Sequence, residues 1–237
     1  MNLTQKVVVI TGASKGLGAV MADMFRGRGA QVIISARDKA ALDEVAKKTG
    51  AVACVADVTK PAHMEKVADF AVQKFGTIDI WINNAGIWLP RGLFEQVDMK
   101  SAHDLFEVNL FGMMYGCRAA LAHMKKHTNG TIVNIISTAA LAPRPYTAVY
   151  AASKAAEKNF TDSLREELIQ EGTNITLIGV YPGGIKTHLF DVESQAPKDF
   201  DLFLAPETVA EKIITNLEQD QPELEQVIKR PGQEIQK

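Results

Sequence analysis

A single α/β domain, a parallel sheet with helices on both faces, is predicted by three observations. Short apolar runs alternate with longer amphipathic stretches along the whole 237-residue chain. The first run, VVVIT (7–11), is β-branched and uninterrupted, as a strand buried on both faces requires. Directly after it, glycines at 12, 16 and 18 open a helical pattern. Repeated strand-turn-helix units of this kind return the chain to parallel neighbours.

The remaining elements follow in order. Strands are predicted at VIIS (32–35), AVACV (51–55), IDIWI (78–82), TIVNII (131–136) and ITLIGV (175–180). Helical patterns run over 17–28, 39–48, 61–75, 99–127, 149–171 and 206–219. The tail ELEQVIKRPG (223–232) adds a last edge strand, which Pro231 ends. No low-complexity linker or repeat interrupts the series, so residues 1–237 are expected to form one domain.

Composition narrows the function classes. With 46% hydrophobic residues the chain can bury a substantial core. There are 26 basic and 28 acidic residues, a net charge of −2, and no basic run, so nucleic acid is not an expected partner. Cys54 and Cys117 have neither metal-site spacing nor a disulfide framework, which fits a reducing compartment. The start, MNLTQKVVVITG, lacks the apolar core of a signal peptide, and no apolar stretch reaches membrane-spanning length. A soluble cytoplasmic protein without a membrane partner or a metal is expected. His123 and His127 share a helix face, but no HExxH glutamate accompanies them and no third ligand is visible.

In such a sheet, ligands bind beyond the carboxyl ends of the strands. After the first strand, TGASKGLG (11–18) combines a tight turn with a helix N-terminus. Glycine permits the turn, and bare backbone N–H groups there suit a phosphate. The spacing is G-x-x-x-G-x-G rather than G-x-G-x-x-G. After the second strand, the place of a ribose-binding acid is taken by Ala36, with Arg37 next. Arg37 and Lys15 together point to a 2′-phosphate, hence to NADP(H) in preference to NAD(H). Asp57 and Val58 follow the third strand as adenine contacts, with a turn or N-cap aspartate as the equal alternative. Asn83, Asn84, Ala85 and Gly86 follow the fourth and suit either a cofactor or an ordinary turn.

After the fifth strand come Ser137 and then Tyr150-Ala-Ala-Ser-Lys154 on a helix. Positions i and i+4 share a face, so Tyr150 and Lys154 point the same way. A tyrosine titrates near 10; acid–base work near neutrality needs its phenolate stabilised by roughly 3 units, about 4 kcal/mol. A neighbouring ammonium pushes in that direction. Ser137 can hydrogen-bond a carbonyl or alcohol oxygen at the same spot. Tyrosine and lysine also meet at this spacing in many ordinary helices.

TGASKGLG, Asp57-Val58, NNAG (83–86), VNLFG (108–112), Ser137, YAASK (150–154) and YPGGIKT (181–187) stand in the order found in short-chain dehydrogenase/reductases. The chain resembles that family over about residues 5–190. The resemblance implies a Rossmann fold, doubly wound, with a seven-stranded parallel sheet in order 3-2-1-4-5-6-7 and one bound NAD(P)(H). It implies that Tyr150 is the acid/base, that Ser137 orients the substrate oxygen, and that Lys154 binds the nicotinamide ribose and lowers the tyrosine pKa. Asn109, within the long helix, would hold a water that links Lys154 to solvent. Gly12, Ser14, Lys15, Gly16, Leu17 and Gly18 would form the cofactor loop. Asp57, Val58, Asn84, Ala85 and Gly86 would contact the cofactor, as would Pro182, Gly183, Ile185 and Thr187. The reaction implied is hydride transfer between NADP(H) and a small-molecule carbonyl or alcohol.

Two departures from the family pattern stand out. The substrate lid, 187–206, is short, and the chain ends without the frequent V-D-G-G; QVIKRP stands there instead. A homodimer or homotetramer is implied, packed through 99–127 and 149–171, where small residues such as Ala119, Ala120, Ala152 and Ala156 permit close approach or face the core. The substrate pocket is expected to be lined by Trp88, Thr138, Ala139, Leu141, Tyr146, Gly183, Gly184 and the lid residues Leu189, Phe190, Phe200, Leu202 and Phe203. That lining suits a small hydrophobic ketone, aldehyde or secondary alcohol. Arg91 and Arg144 would attract an anionic substrate or be solvated loop cations. The alternatives are a 3-oxoacyl-carrier-protein reductase, for which only scattered cations are seen, and a non-catalytic NAD(P)-binding redox sensor. A serine hydrolase would need a G-x-S-x-G elbow, which is absent.

Overall fold

A computed structural model describes residues 1–127, 129–191 and 200–234. One 7-stranded sheet runs through it: β1 (Val7–Thr11), β2 (Gln31–Ala36), β3 (Val52–Val55), β4 (Ile80–Asn83), β5 (Asn129–Ile135), β6 (Asn174–Pro182) and β7 (Glu225–Ile228). Every pairing is parallel and the order is β3-β2-β1-β4-β5-β6-β7. The helices are α1 (Gly16–Gly27), α2 (Lys39–Thr49), α3 (Pro61–Phe75), α4 (Met99–Phe106), α5 (Gly112–His127), α6 (Ala148–Gln170) and α7 (Pro206–Glu218).

The central strands divide their side chains between two cores, as the period of 2 demands. Val8, Ile10, Ile34, Ile80 and Ile82 meet Met21 and Phe25 of α1 and Val209, Ile213 and Leu217 of α7. Val9, Ile33, Trp81 and Ile132 meet Met64 and Val67 of α3 and Met113, Ala119 and Ala120 of α5. Each fully buried Val, Leu or Ile in these layers contributes about 1.5–3 kcal/mol. The layers hold the strand ends, and so the loops beyond them, in fixed register. Ala119 and Ala120 therefore face the core rather than an outside partner, whereas Ala152 is exposed.

Several boundaries differ from the sequence expectation for identifiable reasons. β4 begins at Ile80 because Asp79 turns its carboxylate to Lys6 Nζ and to the Val7 N–H, both at 2.8 Å. β7 ends at Ile228, before Pro231 is reached. The stretch 99–127 is not one continuous helix. A π turn, Glu107–Phe111, separates α4 from α5. Such turns interrupt α-helices most often at functional sites, and this one carries Asn109.

The buried stripe of α6 is unusual for a core helix. It reads Tyr150, Ser153, Lys154, Glu157, Thr161, Arg165 and Leu168, nearly all polar. Burial of such groups is tolerated only when they are bonded. Ser153 Oγ donates to Tyr150 O at 2.8 Å, Thr161 Oγ1 to Glu157 O at 2.7 Å, and Arg165 Nε to Leu177 O at 2.9 Å. Among the described residues, no helix is long and apolar enough to cross a membrane.

Candidate active site

A cleft of about 1220 Å³ opens across the carboxyl ends of the strands. Its first wall is the loop between β1 and α1. Gly12 has φ +65°, and a Cβ there would lie 2.6 Å from Ala85 Cα, so only glycine fits. Asn84 clamps the two segments: its Nδ2 donates to Thr11 O at 2.9 Å and to Gly12 O at 3.1 Å. Thr11 Oγ1 accepts from the Asn84 and Ala85 N–H groups at 3.1 and 3.2 Å. Lys15 precedes α1 without a side-chain cap, and the first turn holds no acidic residue. The positive end of the helix is thus left for an anion in the cleft.

Lys15 and Arg37 both line the cleft, beside Ala36. Asp38, the next residue, caps α2 by accepting from Ala41 N at 3.1 Å. Asp57 Oδ1 accepts from Thr59 N and Thr59 Oγ1 at 3.0 and 2.9 Å. Burial works against the Asp57 carboxylate, but the Thr59 bonds, Arg37 and Lys60 outweigh it and hold the carboxyl below its usual range.

The reacting floor lies between β5 and α6. Ser137 follows β5; its Oγ accepts from Ala139 N at 3.1 Å and is hydrogen-bonded to Tyr150. Lys154 Nζ lies 5.7 Å from the centre of the Tyr150 ring. Both side chains are buried. Behind Lys154 stands Glu157, with no exposed surface. Glu157 Oε2 accepts a hydrogen bond from Lys154 Nζ at 2.9 Å, and Oε1 lies 2.8 Å from the same nitrogen. Burial pushes the Tyr150 phenol up from its ordinary value; Lys154 pulls it down, Glu157 pushes it up, and Ser137 and Arg144 pull it down. Burial also works against the Lys154 ammonium, but Glu157 and Tyr150 more than restore it. Glu157 itself is pushed by burial to about 7, against the pull of Lys154.

The part of the cleft beside Tyr150 is aromatic. Trp88 packs edge-on against Tyr150, with ring centres 4.5 Å apart, and against Phe190 at 5.3 Å. Phe190 continues the row to Phe203 at 5.2 Å. The lid's ends are tied together: Leu204 N donates to Gly184 O and Lys186 N to Leu204 O, both at 2.8 Å. Residues 192–199 of the expected lid lie outside the described residues.

Ser14, Gly16, Leu17, Val58, Gly86, Thr138, Ala139, Pro182, Gly183, Ile185 and Thr187 also line the cleft, as do Arg91 and Arg144. Gly18 does not. It sits behind the loop, where a Cβ would meet Asn84 Nδ2 and Gly12 O at 2.7 Å, so it serves helix-to-loop packing. Leu141 turns away into the core beneath α5. Phe200 backs Phe203 from outside the cleft, and Leu202 is half exposed. Tyr146 sits at the cleft mouth, 63% exposed, with φ +63° before α6 begins. Asn109 is buried behind the wall: its Oδ1 accepts from Ile87 N at 2.8 Å and its Nδ2 donates to Ile87 O at 3.1 Å and Ser153 Oγ at 3.3 Å.

Two contributors were not visible in the sequence. Glu157 stands three residues after Lys154, a spacing that reads as a surface ion pair. Residues 230–234, past the last strand, fold back into the cleft; Gln233 Nε2 donates to Thr138 Oγ1 at 2.8 Å, beside Arg144 Nη2 at 3.0 Å. A phenol bonded to a serine hydroxyl and backed by an ammonium, at the floor of an apolar cleft, is equipped to exchange a proton with a substrate oxygen.

Comparison with known proteins supplies the context. A family model described as short chain dehydrogenase matches residues 6–198. An uncharacterised oxidoreductase of Staphylococcus saprophyticus is 34% identical over 226 residues, 92% of this chain and 94% of that protein. A 3beta-hydroxysteroid dehydrogenase of Eggerthella lenta is 37% identical over 199 residues, 78% of this chain and 73% of that protein. The crystal structure of a 3-ketoacyl-(acyl-carrier-protein) reductase from Brucella melitensis, complexed with NADH, superposes with a TM-score of 0.87 at 30% identity, covering 96% of this chain and 98% of that one.

Proposed function

The chain belongs to the short-chain dehydrogenase family and is an oxidoreductase, and from that premise we propose that it interconverts a hydrophobic carbonyl compound and its alcohol, using NADP(H). The observation that carries this reading is the Ser137–Tyr150–Lys154 group at the floor of a cleft whose far end is the Gly12 turn and the uncapped N-terminus of α1. When bound, the nicotinamide gives or takes the hydride. The chain does the rest.

The α1 N-terminus and the Gly12 turn would hold the cofactor phosphates. Lys15 and Arg37 line the cleft beside Ala36, which offers no carboxylate, and Asp38 is engaged as a cap, so the two cations would be free to hold a ribose 2′ group. This supports a 2′-phosphate. Ser137 Oγ holds the substrate oxygen in hydrogen-bond reach of Tyr150. In the reducing direction the Tyr150 O–H bond breaks as the bond from that proton to the substrate oxygen forms. The Lys154 ammonium stabilises the phenolate left behind. Asn109, bonded to both the Ile87 backbone and Ser153, holds the π turn against α6 and so keeps Lys154 in place. Trp88, Phe190 and Phe203 cover the reacting centre and exclude water.

The test is consumption of NADPH against a panel of hydrophobic ketones, aldehydes and 3-oxoacyl thioesters. Turnover of at least one ketone, abolished in Tyr150→Phe while cofactor still binds, is the expected result; no turnover of any member overturns the reading. The likeness to the Brucella reductase favours a second reading, a 3-oxoacyl thioester as substrate. Selective turnover of carrier-bound thioesters over free ketones would establish it.

A further inference from the structure

We propose that Glu157 is a positioning residue of the proton donor: its carboxylate, closed on the Lys154 ammonium, cancels part of the charge that Lys154 presents to Tyr150 and so keeps the phenol protonated, the form that donates to a carbonyl, up to higher pH. The proposal rests on Tyr150 being the acid/base.

Geometry carries it. Tyr150, Lys154 and Glu157 occupy positions i, i+4 and i+7 of α6, one face of the helix. Glu157 has no exposed surface, and both its oxygens lie within 2.9 Å of Lys154 Nζ. Only Oε2 makes a bond of good angle; Oε1 has no other partner among the described residues. A carboxylate taken wholly out of water and left with one cation is costly. Hydrophobic residues of similar volume would pack this stripe more cheaply, so a structural purpose explains the glutamate poorly.

The electrostatic consequence has a definite sign. Around Tyr150 the charged groups are Lys154 and Glu157 from α6 and Arg144 from the loop before it, while the segment after β5 adds the Ser137 hydroxyl. Among the described residues, the charge acting on Glu157 is that of Lys154. The elements packed on this face of α6 present uncharged amides, Asn109 of the π turn bonded to Ser153 and Asn134 of β5 bonded to Thr161. Above about pH 7 Glu157 is ionised, and its push on the phenol offsets part, but not all, of the pull of Lys154. Tyr150 then keeps its proton, the state that donates to a carbonyl. Remove the negative charge and Lys154 acts on the phenol unopposed, which makes it more acidic.

The decisive experiment is Glu157→Gln, nearly equal in shape and without the charge. Tyrosinate absorbance is titrated in the cofactor-free protein, with Tyr150→Phe in each background to isolate the Tyr150 signal. The Tyr150 midpoint is expected to fall by about one pH unit. The alkaline limb of kcat/KM for ketone reduction is expected to fall with it, and Glu157→Asp, which keeps the charge, to restore both towards the unmutated values. An unchanged or raised midpoint overturns the proposal, as does a Glu157→Gln protein that fails to fold. A lowered midpoint in a protein that turns over no carbonyl supports the coupling and instead overturns the proposed activity.

Discussion

Two polar clusters are buried under the same helix, and they are built on opposite terms. One is neutral. Trp81 Nε1 donates to Asn83 Oδ1 at 2.8 Å, Asn83 Nδ2 to Asn134 Oδ1 at 2.8 Å, and Asn134 Nδ2 to Thr161 Oγ1 at 2.9 Å. The chain ends on the Glu157 carbonyl, so β4, β5 and α6 are laced together. The other cluster, Tyr150–Lys154–Glu157, begins at that same residue's side chain and is charged and titratable. Neutral amides satisfy each other with fixed geometry, and they rigidify. A buried ion pair costs desolvation and responds to pH, and sites that perform chemistry accept that cost. The neutral cluster holds α6 still so that the charged one can be set accurately.

The sharpest way to separate the two is to cut each once. Tyr150→Phe removes the proposed proton donor without disturbing the neutral lacing. The expected loss in kcat/KM is about 10²- to 10⁴-fold, measured by NADPH consumption, with the thermal midpoint nearly unchanged. A variant within tenfold of the unmutated rate would remove Tyr150 from the role.

Asn134→Leu makes the reverse cut. Asn83 Nδ2 keeps Cys117 Sγ and Thr161 Oγ1 keeps the Glu157 carbonyl, but each loses one buried hydrogen bond, at about 1–2 kcal/mol apiece. A stability loss of about 2–4 kcal/mol is expected in urea unfolding, with kcat of the remaining folded protein within a few-fold. If stability holds and kcat collapses instead, the neutral cluster is part of the chemistry and the contrast fails.

Arg37 supplies a third kind of charge, exposed on the cleft beside the loop between β1 and α1. Charge-assisted bonds to a 2′-phosphate are worth about 1.5–3 kcal/mol. Arg37→Asp is expected to reduce kcat/KM for NADPH about 10- to 100-fold relative to NADH, read from the two cofactors in parallel. Equal use of both cofactors by the unmutated protein would refute the preference.

The two clusters also differ in how far they could be read beforehand. Tyr150 and Lys154 announce themselves by spacing, and Ser137 by its place after an apolar run; the strand order followed from the family resemblance. The π turn did not show, because DLFEVNLFG has no glycine or proline ahead of Gly112 and fits an ordinary helical period. Glu157 was hidden for a related reason: only the packing of α6 tells a buried glutamate from a solvated one. Gly18 stands in the glycine loop and Leu141 among the expected pocket residues, yet where each one faces is set by what packs behind the loops. The return of 230–234 to Thr138 depends on contacts across the molecule that no local pattern encodes.

The smallest effect tests the neutral cluster from inside. Cys117 Sγ accepts from Asn83 Nδ2 at 3.3 Å, and burial pushes its thiol up to about 12, against the pull of Asn134 and Asn83. At pH 8 the thiolate fraction is then negligible, and only the thiolate attacks alkylating reagents. Cys54 is also shifted up by burial, but Lys66 works against the shift and the residue lies on the edge strand β3. In native protein, alkylation is expected to mark Cys54 before Cys117, and Cys117 only at the rate of opening of the fold. Peptide mapping after timed labelling distinguishes the two sites. In Asn134→Leu the Cys117 rate should rise in step with the lost stability, whereas in Tyr150→Phe it should stay where it was. Fast labelling of Cys117 in the unmutated protein would mean that the cluster opens on its own, and that the still platform under the charged site does not exist.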